Sequence, residues 1–146
     1  RSEERSIDRM INRYRHPGPA GFEAALLAVR DEVEDLHGVE IRTVIRDDAP
    51  LTQPVAVAVD ATREALTNAA RHSGAPLVNL YSEVDNGSVR VYVRDRGVGF
   101  DPATVEEGRG LRHSLRQRME DSGGSLRVTS TPGLGTEVVI CSGNVS

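Results

Sequence analysis

The sequence has no tryptophan, only two phenylalanines and three tyrosines, so large aromatic side chains contribute little to its core. Hydrophobic residues make up 38% of the 146 positions, and the core must therefore be built mainly from Val, Leu, Ile and Ala. A chain of this length is sufficient for one domain with a sizeable core. We accordingly expect a single folded unit over most of the sequence.

Other absences exclude several classes of protein. The one cysteine, Cys141, excludes an internal disulfide framework and a cysteine-based zinc site, and it fits a reducing compartment. No apolar run approaches membrane-spanning length, no signal peptide is visible, and a net charge of −4 disfavours a generic nucleic-acid surface. We expect a cytoplasmic domain that contacts neither membrane nor nucleic acid. Because the sequence starts at Arg1 without a methionine, it fits a piece of a longer protein, and we expect it to be the cytoplasmic portion of a membrane-anchored one.

Hydrophobic periodicity predicts alternating helices and strands after a charged helical segment and a linker at 1–21. The domain at 22–146 is predicted to contain helices at 22–36, 53–73 and 110–121, and strands at 39–46, 77–84, 88–94, 126–130 and 136–141. The turn Asp85-Asn86-Gly87 is typical of a β-hairpin. Hairpins favour antiparallel pairing, and about three helices can cover one sheet face. These elements predict a two-layer α/β sandwich with a mixed, mainly antiparallel sheet.

The helix at 53–73 has two unlike faces. At 100° per residue, the apolar side consists of Val55, Ala58, Val59, Thr62, Leu66 and Ala69. The opposite side carries Glu64, Asn68, Arg71 and His72. A carboxylate, an amide, a guanidinium and an imidazole can hold a metal and phosphate oxygens, but a polar helix face is also typical of a solvated surface. The helix alone leaves both interpretations open.

A D-x-G-x-G pattern, Asp95 to Gly99, directly follows a predicted strand. A carboxylate at a strand end can accept a hydrogen bond from an exocyclic amine, and Gly97 and Gly99 let the backbone approach a flat ring or a phosphate. The pattern is equally typical of a simple turn. A calcium loop is disfavoured, because the alternate carboxylates and closing Glu of an EF-hand are missing.

A long Gly- and acid-containing loop at 96–109 ends in Gly108-Arg109-Gly110-Leu111, at the start of a helix. Free N–H groups at a helix N-terminus favour a phosphate, and Arg109 and Arg112 add positive charge; a loop hinge is the alternative. The P-loop pattern and G-x-S-x-G are absent, and the glycines do not lie in a βαβ unit as in a dinucleotide-binding fold.

These motifs together resemble the catalytic ATP-binding domain of bacterial sensor histidine kinases, within the gyrase–Hsp90–kinase–MutL (GHKL) ATPase superfamily. The segment 64–72 is similar to the family's N box, Asp95 to Gly99 to its G1 box, Gly108 to Leu111 to the G2 box that ends the ATP lid, and Gly135-Thr136 to its closing Gly-Thr. Glu64 and the Arg71-His72 ending are similar to the subfamily paired with NarL/LuxR-type response regulators. The run 110–124 is similar to actinobacterial members.

The resemblance implies the Bergerat fold with a mobile lid, and ATP and Mg²⁺ as ligands. It implies that Asn68 binds Mg²⁺. It implies that Asp95 accepts a hydrogen bond from the adenine amine, together with a water held by Thr136. It also implies that Glu64 orients a water or the nucleophile, with contact to Mg²⁺ as a second role. The remaining implied ATP-binding residues are Arg71, His72, Gly97, Gly99, Gly108, Arg109, Gly110 and Leu111.

None of the four histidines, His16, His37, His72 and His113, fits the family's phosphoacceptor pattern. The resemblance therefore implies a chain that binds ATP but does not autophosphorylate, with 1–21 as the tail of an upstream dimerisation helix. The implied partners are the dimerisation and phosphoacceptor domain of the same kinase and a NarL/LuxR-type regulator. A serine kinase that acts on an anti-anti-sigma factor is the alternative with the same fold. A nucleotide-binding regulator without catalysis is a third.

Overall fold

The computed structural model describes residues 21–72, 77–98 and 109–143. Its helices are α1 (Phe22–His37), α2 (Gln53–His72) and α3 (Arg109–Asp121). Its strands are β1 (Glu40–Ile45), β2 (Leu77–Asp85), β3 (Ser88–Asp95), β4 (Ser125–Thr131) and β5 (Gly135–Cys141). Every predicted helix and strand within these ranges is confirmed, with differences of at most one residue at each end.

The strands form one sheet in the order β1-β2-β3-β5-β4. β1 and β2 are parallel, as expected for strands joined through a crossover helix, and the other neighbours are antiparallel. In β3 the alternation is clear, because Val89, Val91 and Val93 are buried whereas Arg90 and Arg94 are exposed. The helices cover the buried face, so the predicted two-layer sandwich with a mixed sheet is confirmed.

Helix α2 lies at the centre of the helical layer and packs against α1, α3, β2, β3 and β5. The six residues predicted for its apolar side are all at most 7% exposed. Thr62, the polar member, donates its hydroxyl to the Ala58 carbonyl at 2.8 Å. Burial of this side against the sheet fixes the orientation of the helix, and so it also fixes where Glu64 and Asn68 project.

One core prediction is wrong. The spacing of apolar residues in the sequence predicts a buried stripe on α1 of Phe22, Leu26, Val29, Val33 and Leu36. Leu36 is instead 72% exposed, whereas the other four are buried. The stripe stops contributing to the core at Val33, because the chain turns back toward β1 at Gly38 (φ 65°), one residue after the helix ends.

The predicted hairpin turn is confirmed between β2 and β3. Asn86 (φ 52°) and Gly87 (φ 81°) both have positive φ, as a two-residue type I′ turn requires. This turn marks one end of the sheet, which we call the Asn86 end. The opposite end, where β3 finishes at Asp95, is the Asp95 end. None of the helices in the described ranges is long and apolar enough to cross a membrane.

Candidate functional site

A row of residues crosses all five strands at the Asp95 end of the sheet. The strand registers place five residues opposite one another in turn, Ile41, Val78, Asp95, Thr136 and Ser130. The row lies on the helix-facing side, since Ile41, Val78 and Asp95 are at most 4% exposed. Its first two members are apolar and its last three are polar. The adjacent row, Thr43, Leu80, Val93, Val138 and Val128, is almost wholly apolar, so the polar groups are confined to the sheet's end.

The Asp95 carboxylate is the buried charge of this row, with 4% of the residue exposed. Its Oδ1 accepts a hydrogen bond from the Gly97 N–H at 2.8 Å, which turns the chain immediately after β3. Burial raises the pKa of Asp95 above its usual range, and the N–H groups of Gly97 and Thr136 oppose that rise without cancelling it. A buried carboxylate oxygen beyond the one held by Gly97 is suited to accept a hydrogen bond from a ligand.

Gly135 is required next to Asp95 for steric reasons. Its φ is +112°, and a Cβ at this position would lie 2.2 Å from the Asp95 carbonyl oxygen. The preceding turn is joined to the loop after β3, because the Gly133 N–H donates to the Val98 carbonyl at 2.6 Å. The loop that follows Asp95 and the turn between β4 and β5 therefore form one continuous wall of the site.

Two hydroxyl groups extend the polar row beyond Asp95. The Ser130 Oγ lies 2.8 Å from the Thr136 Oγ1 and 3.3 Å from the Gly135 carbonyl oxygen. The sequence analysis named Thr136 but missed Ser130. The signal was present, because Ser130 and Thr136 directly flank the turn at 131–135 and must face each other if that turn closes an antiparallel hairpin.

Helix α2 finishes at the same end of the sheet. The helix finishes at His72, and β2 begins at Leu77, one residue before the partner of Asp95 in the register. Glu64 and Asn68, one helical turn apart, are both half-buried, whereas Arg71 is exposed. These residues lie in the C-terminal half of α2, the half that finishes at the Asp95 end of the sheet.

In the described part of the chain, no three His, Cys, Asp or Glu side chains cluster as a protein-only metal site would require. Helix α3 begins at Arg109, which confirms the predicted helix start after the long loop. Five predicted positions cannot be compared with the structure. Gly99 and Gly108, and the side chains of His72, Arg109 and Leu111, lie outside the described residues.

A comparison with known protein families decides which family the chain belongs to. Residues 55–142 match the model of the histidine kinase-, DNA gyrase B- and HSP90-like ATPases. The chain belongs to this family. The matched ATPase segment begins in α2 and ends after β5, so it includes the polar side of α2, the start of α3 and four residues of the row at the Asp95 end, Val78, Asp95, Thr136 and Ser130. Membership implies that the domain binds ATP.

Individual relatives of this ATPase domain are sensor proteins. The chain is 28% identical over 120 residues to the sensor histidine kinase LiaS of Bacillus subtilis, covering 82% of this chain and 33% of LiaS. It is 34% identical over 79 residues to the nitrate/nitrite sensor protein NarQ of Escherichia coli, covering 53% of this chain and 14% of NarQ. The chain thus spans a third or less of the length of these curated relatives.

Solved structures share the fold. The histidine kinase domain of the blue-light activated histidine kinase from Erythrobacter litoralis EL346 superposes with a TM-score of 0.67 at 24% identity, over 83% of this chain and 60% of that one. The ATP-binding domain of PrrB from Mycobacterium tuberculosis superposes with a TM-score of 0.65 at 20% identity, over 84% and 93% of the two chains. The family fold implied by the sequence motifs is therefore confirmed.

Proposed function

We propose that this chain is the ATP-binding catalytic domain of a sensor histidine kinase. It transfers the γ-phosphoryl group of ATP to a histidine on a separate dimerisation domain, for relay to an aspartate of a response regulator. The observation that carries the proposal is the buried Asp95 at the end of β3, directly opposite Thr136 at the start of β5, in a chain whose curated relatives include sensor histidine kinases.

The base-recognition role is assigned to Asp95. An ionised carboxylate has about four lone-pair sites, and the N–H groups of Gly97 and Thr136 use only part of that capacity, so acceptor sites remain for the adenine amine. Gly97, together with Gly99, allows a flat base to approach the backbone. Thr136, directly opposite Asp95 on β5, adds a hydroxyl at the same edge, and it holds the water that completes the contact.

The phosphate-binding role is assigned to the C-terminal half of α2 and the first turn of α3. Asn68 supplies an amide oxygen for Mg²⁺, and the phosphates and water supply the remaining ligands, since Mg²⁺ is usually held by few protein groups. The bound ion would neutralise phosphate charge. Glu64, one turn earlier, positions the attacking group. The residues assigned to phosphate, ribose or lid contacts are Arg71, His72, Gly108, Arg109, Gly110 and Leu111.

The acceptor histidine is assigned to another domain. None of the chain's four histidines precedes an acidic residue in an arginine-rich helix, and the chain spans only 33% of LiaS. We assign 22–146 to the catalytic domain and 1–21 to the tail of the dimerisation helix. Glu64 and Arg71-His72 support a NarL/LuxR-type regulator as the final acceptor, and the run 110–124 supports an actinobacterial source.

Phosphotransfer to a separately produced dimerisation domain tests this function. The chain, labelled ATP and Mg²⁺ are mixed with that domain, in its native form and with its acceptor histidine replaced by alanine. We expect acid-labile, base-stable label on the native acceptor only. Acid-stable label on a serine partner would overturn the proposal in favour of the serine kinase. ATP binding without transfer to any acceptor would favour the non-catalytic regulator.

A further inference from the structure

We propose that Ser130 is a positioning residue for base recognition, acting through the hydroxyl of Thr136. The inference rests on the proposed function, because it assigns a role within the adenine edge of the same site. It adds a residue on β4, the edge strand of the sheet, that the sequence motifs do not include. Ser130 does not touch the base in this account; it determines how Thr136 presents its hydroxyl group.

The geometry places Ser130 one strand beyond the residue it supports. Ser130 is directly opposite Thr136 in the β4–β5 pairing, and Thr136 is directly opposite Asp95 in the β3–β5 pairing. The two hydroxyl oxygens are 2.8 Å apart, a normal hydrogen-bond distance. The three side chains therefore form a continuous polar line from the edge strand to the buried carboxylate.

The proton count explains why Ser130 matters. Its hydroxyl has one proton and two acceptors on β5, the Thr136 Oγ1 and the Gly135 carbonyl oxygen at 3.3 Å. When Ser130 donates to Gly135, Thr136 donates to Ser130 and presents lone pairs to the site. When Ser130 donates to Thr136, the Thr136 proton is free to point at the ligand or its water. In both arrangements Ser130 holds the Thr136 oxygen in one rotamer.

Without the Ser130 hydroxyl, Thr136 is no longer held from the β4 side. Its hydroxyl can then rotate toward the Asp95 carboxylate on the neighbouring strand, since directly opposed Cβ atoms are only about 5 Å apart. A proton donated there competes with the adenine amine for the same carboxylate. The loss should therefore fall on the part of affinity that depends on the 6-amino group, and phosphate binding should be unaffected.

The test compares two ligands, ATP and purine riboside triphosphate, which lacks the 6-amino group, by calorimetry on the full chain. We expect Ser130→Ala to weaken ATP binding about two- to tenfold, the equivalent of one hydrogen bond. The affinity for the amine-free analogue should change less, so the ratio of the two affinities falls. Ser130→Thr should restore the ratio. Thr129→Ala, which removes an exposed hydroxyl one residue earlier on the same strand, is the matched control and should leave it unchanged.

A double-mutant cycle tests the route through Thr136. In a Thr136→Val background, Ser130→Ala should no longer change the ratio. An unchanged ratio in the folded single variant, or an undiminished effect in the Thr136→Val background, would overturn the inference.

If Ser130→Ala does not fold, Ser130→Cys, with a weaker hydrogen-bonding group of similar size, is expected to lower the ratio in the same way. If Asp95→Asn leaves ATP affinity unchanged, the proposed function itself fails; if it removes binding and only the ratio test fails, the role of Ser130 alone is wrong.

Discussion

Replacing Asp95 with asparagine changes one atom at the point where adenine recognition is proposed. The residue is 4% exposed, and its Oδ1 is 2.8 Å from the Gly97 N–H. In the variant, the amide oxygen remains the natural acceptor for Gly97. The NH₂ group then occupies the position of the second carboxylate oxygen, so that a donor faces the adenine amine, which is also a donor.

The expected loss of ATP affinity is large. A hydrogen bond to a charged acceptor contributes about 1.5–3 kcal/mol, and leaving a buried donor unpaired costs about 1–3 kcal/mol more. The sum is about 2.5–6 kcal/mol, and each 1.4 kcal/mol is tenfold in affinity. Asp95→Asn should therefore weaken ATP binding by roughly sixtyfold to twenty-thousandfold, or abolish it at accessible concentrations.

The same substitution should also change how the stability of the fold depends on pH. Burial raises the pKa of Asp95, so as pH rises from the usual carboxyl range through the raised pKa, the unfolded chain loses its proton before the native state does. Stability therefore falls across that window and is constant above it. Asparagine carries no charge at any pH. The variant should accordingly lack this fall, so its melting temperature relative to the wild type should decrease on acidification from pH 7.5 through the window.

Calorimetry with Mg-ATP and thermal melts between pH 4 and pH 8 measure both effects. Asp85→Asn is the matched control, because Asp85 is an exposed carboxylate at the Asn86 end of the same sheet. The control should bind ATP as the wild type does. If Asp95→Asn bound ATP within threefold of the wild type, the reasoning about this carboxylate would be refuted.

Four further substitutions separate the other roles. Asn68→Ala should remove the Mg²⁺ dependence of nucleotide affinity, and titrations with and without Mg²⁺ that still differ would count against the metal role. Glu64→Gln should reduce phosphotransfer at least tenfold while ATP affinity stays within about threefold, and equal losses of both would contradict positioning of the reacting group. Gly135→Ala should lower the melting temperature and ATP affinity together, since its Cβ would lie 2.2 Å from the Asp95 carbonyl oxygen; an unchanged melt is incompatible with that contact. Ser82→Ala should preserve or raise stability in denaturant melts, because the Ser82 hydroxyl is buried without a hydrogen-bond partner among the described residues; a loss of more than about 1 kcal/mol would indicate a bound water or partner.

Much of the fold follows from local signals in the sequence. The Asn86-Gly87 turn specifies a two-residue hairpin, and the strict alternation of valines in β3 identifies its buried face. The apolar side of α2 was predicted residue by residue. These features depend on neighbours close in the chain, and periodicity therefore reports them directly.

The parts that were not predicted depend on contacts distant in sequence. The strand order, with β5 between β3 and β4, brings Thr136 opposite Asp95, and no local pattern specifies that choice. The pairing of Ser130 with Thr136 is local and could have been found, but its place in the site depends on β5 lying beside β3, which the local pattern does not specify. Leu36 was misassigned because a helical stripe does not reveal where the core stops.

The most direct test of the nucleotide site is a titration followed through backbone amide NMR signals. A slowly hydrolysed ATP analogue with Mg²⁺ is added to the chain. The amides of Asp95, Gly97 and Thr136 should shift most among the assigned sheet residues. Those of Asn86 and Gly87, at the other end of β3 and about 23 Å away by strand rise, should not move. Shifts centred on Asn86 and Gly87, or no shifts at Asp95 and Thr136, would contradict the proposed ATP-binding site.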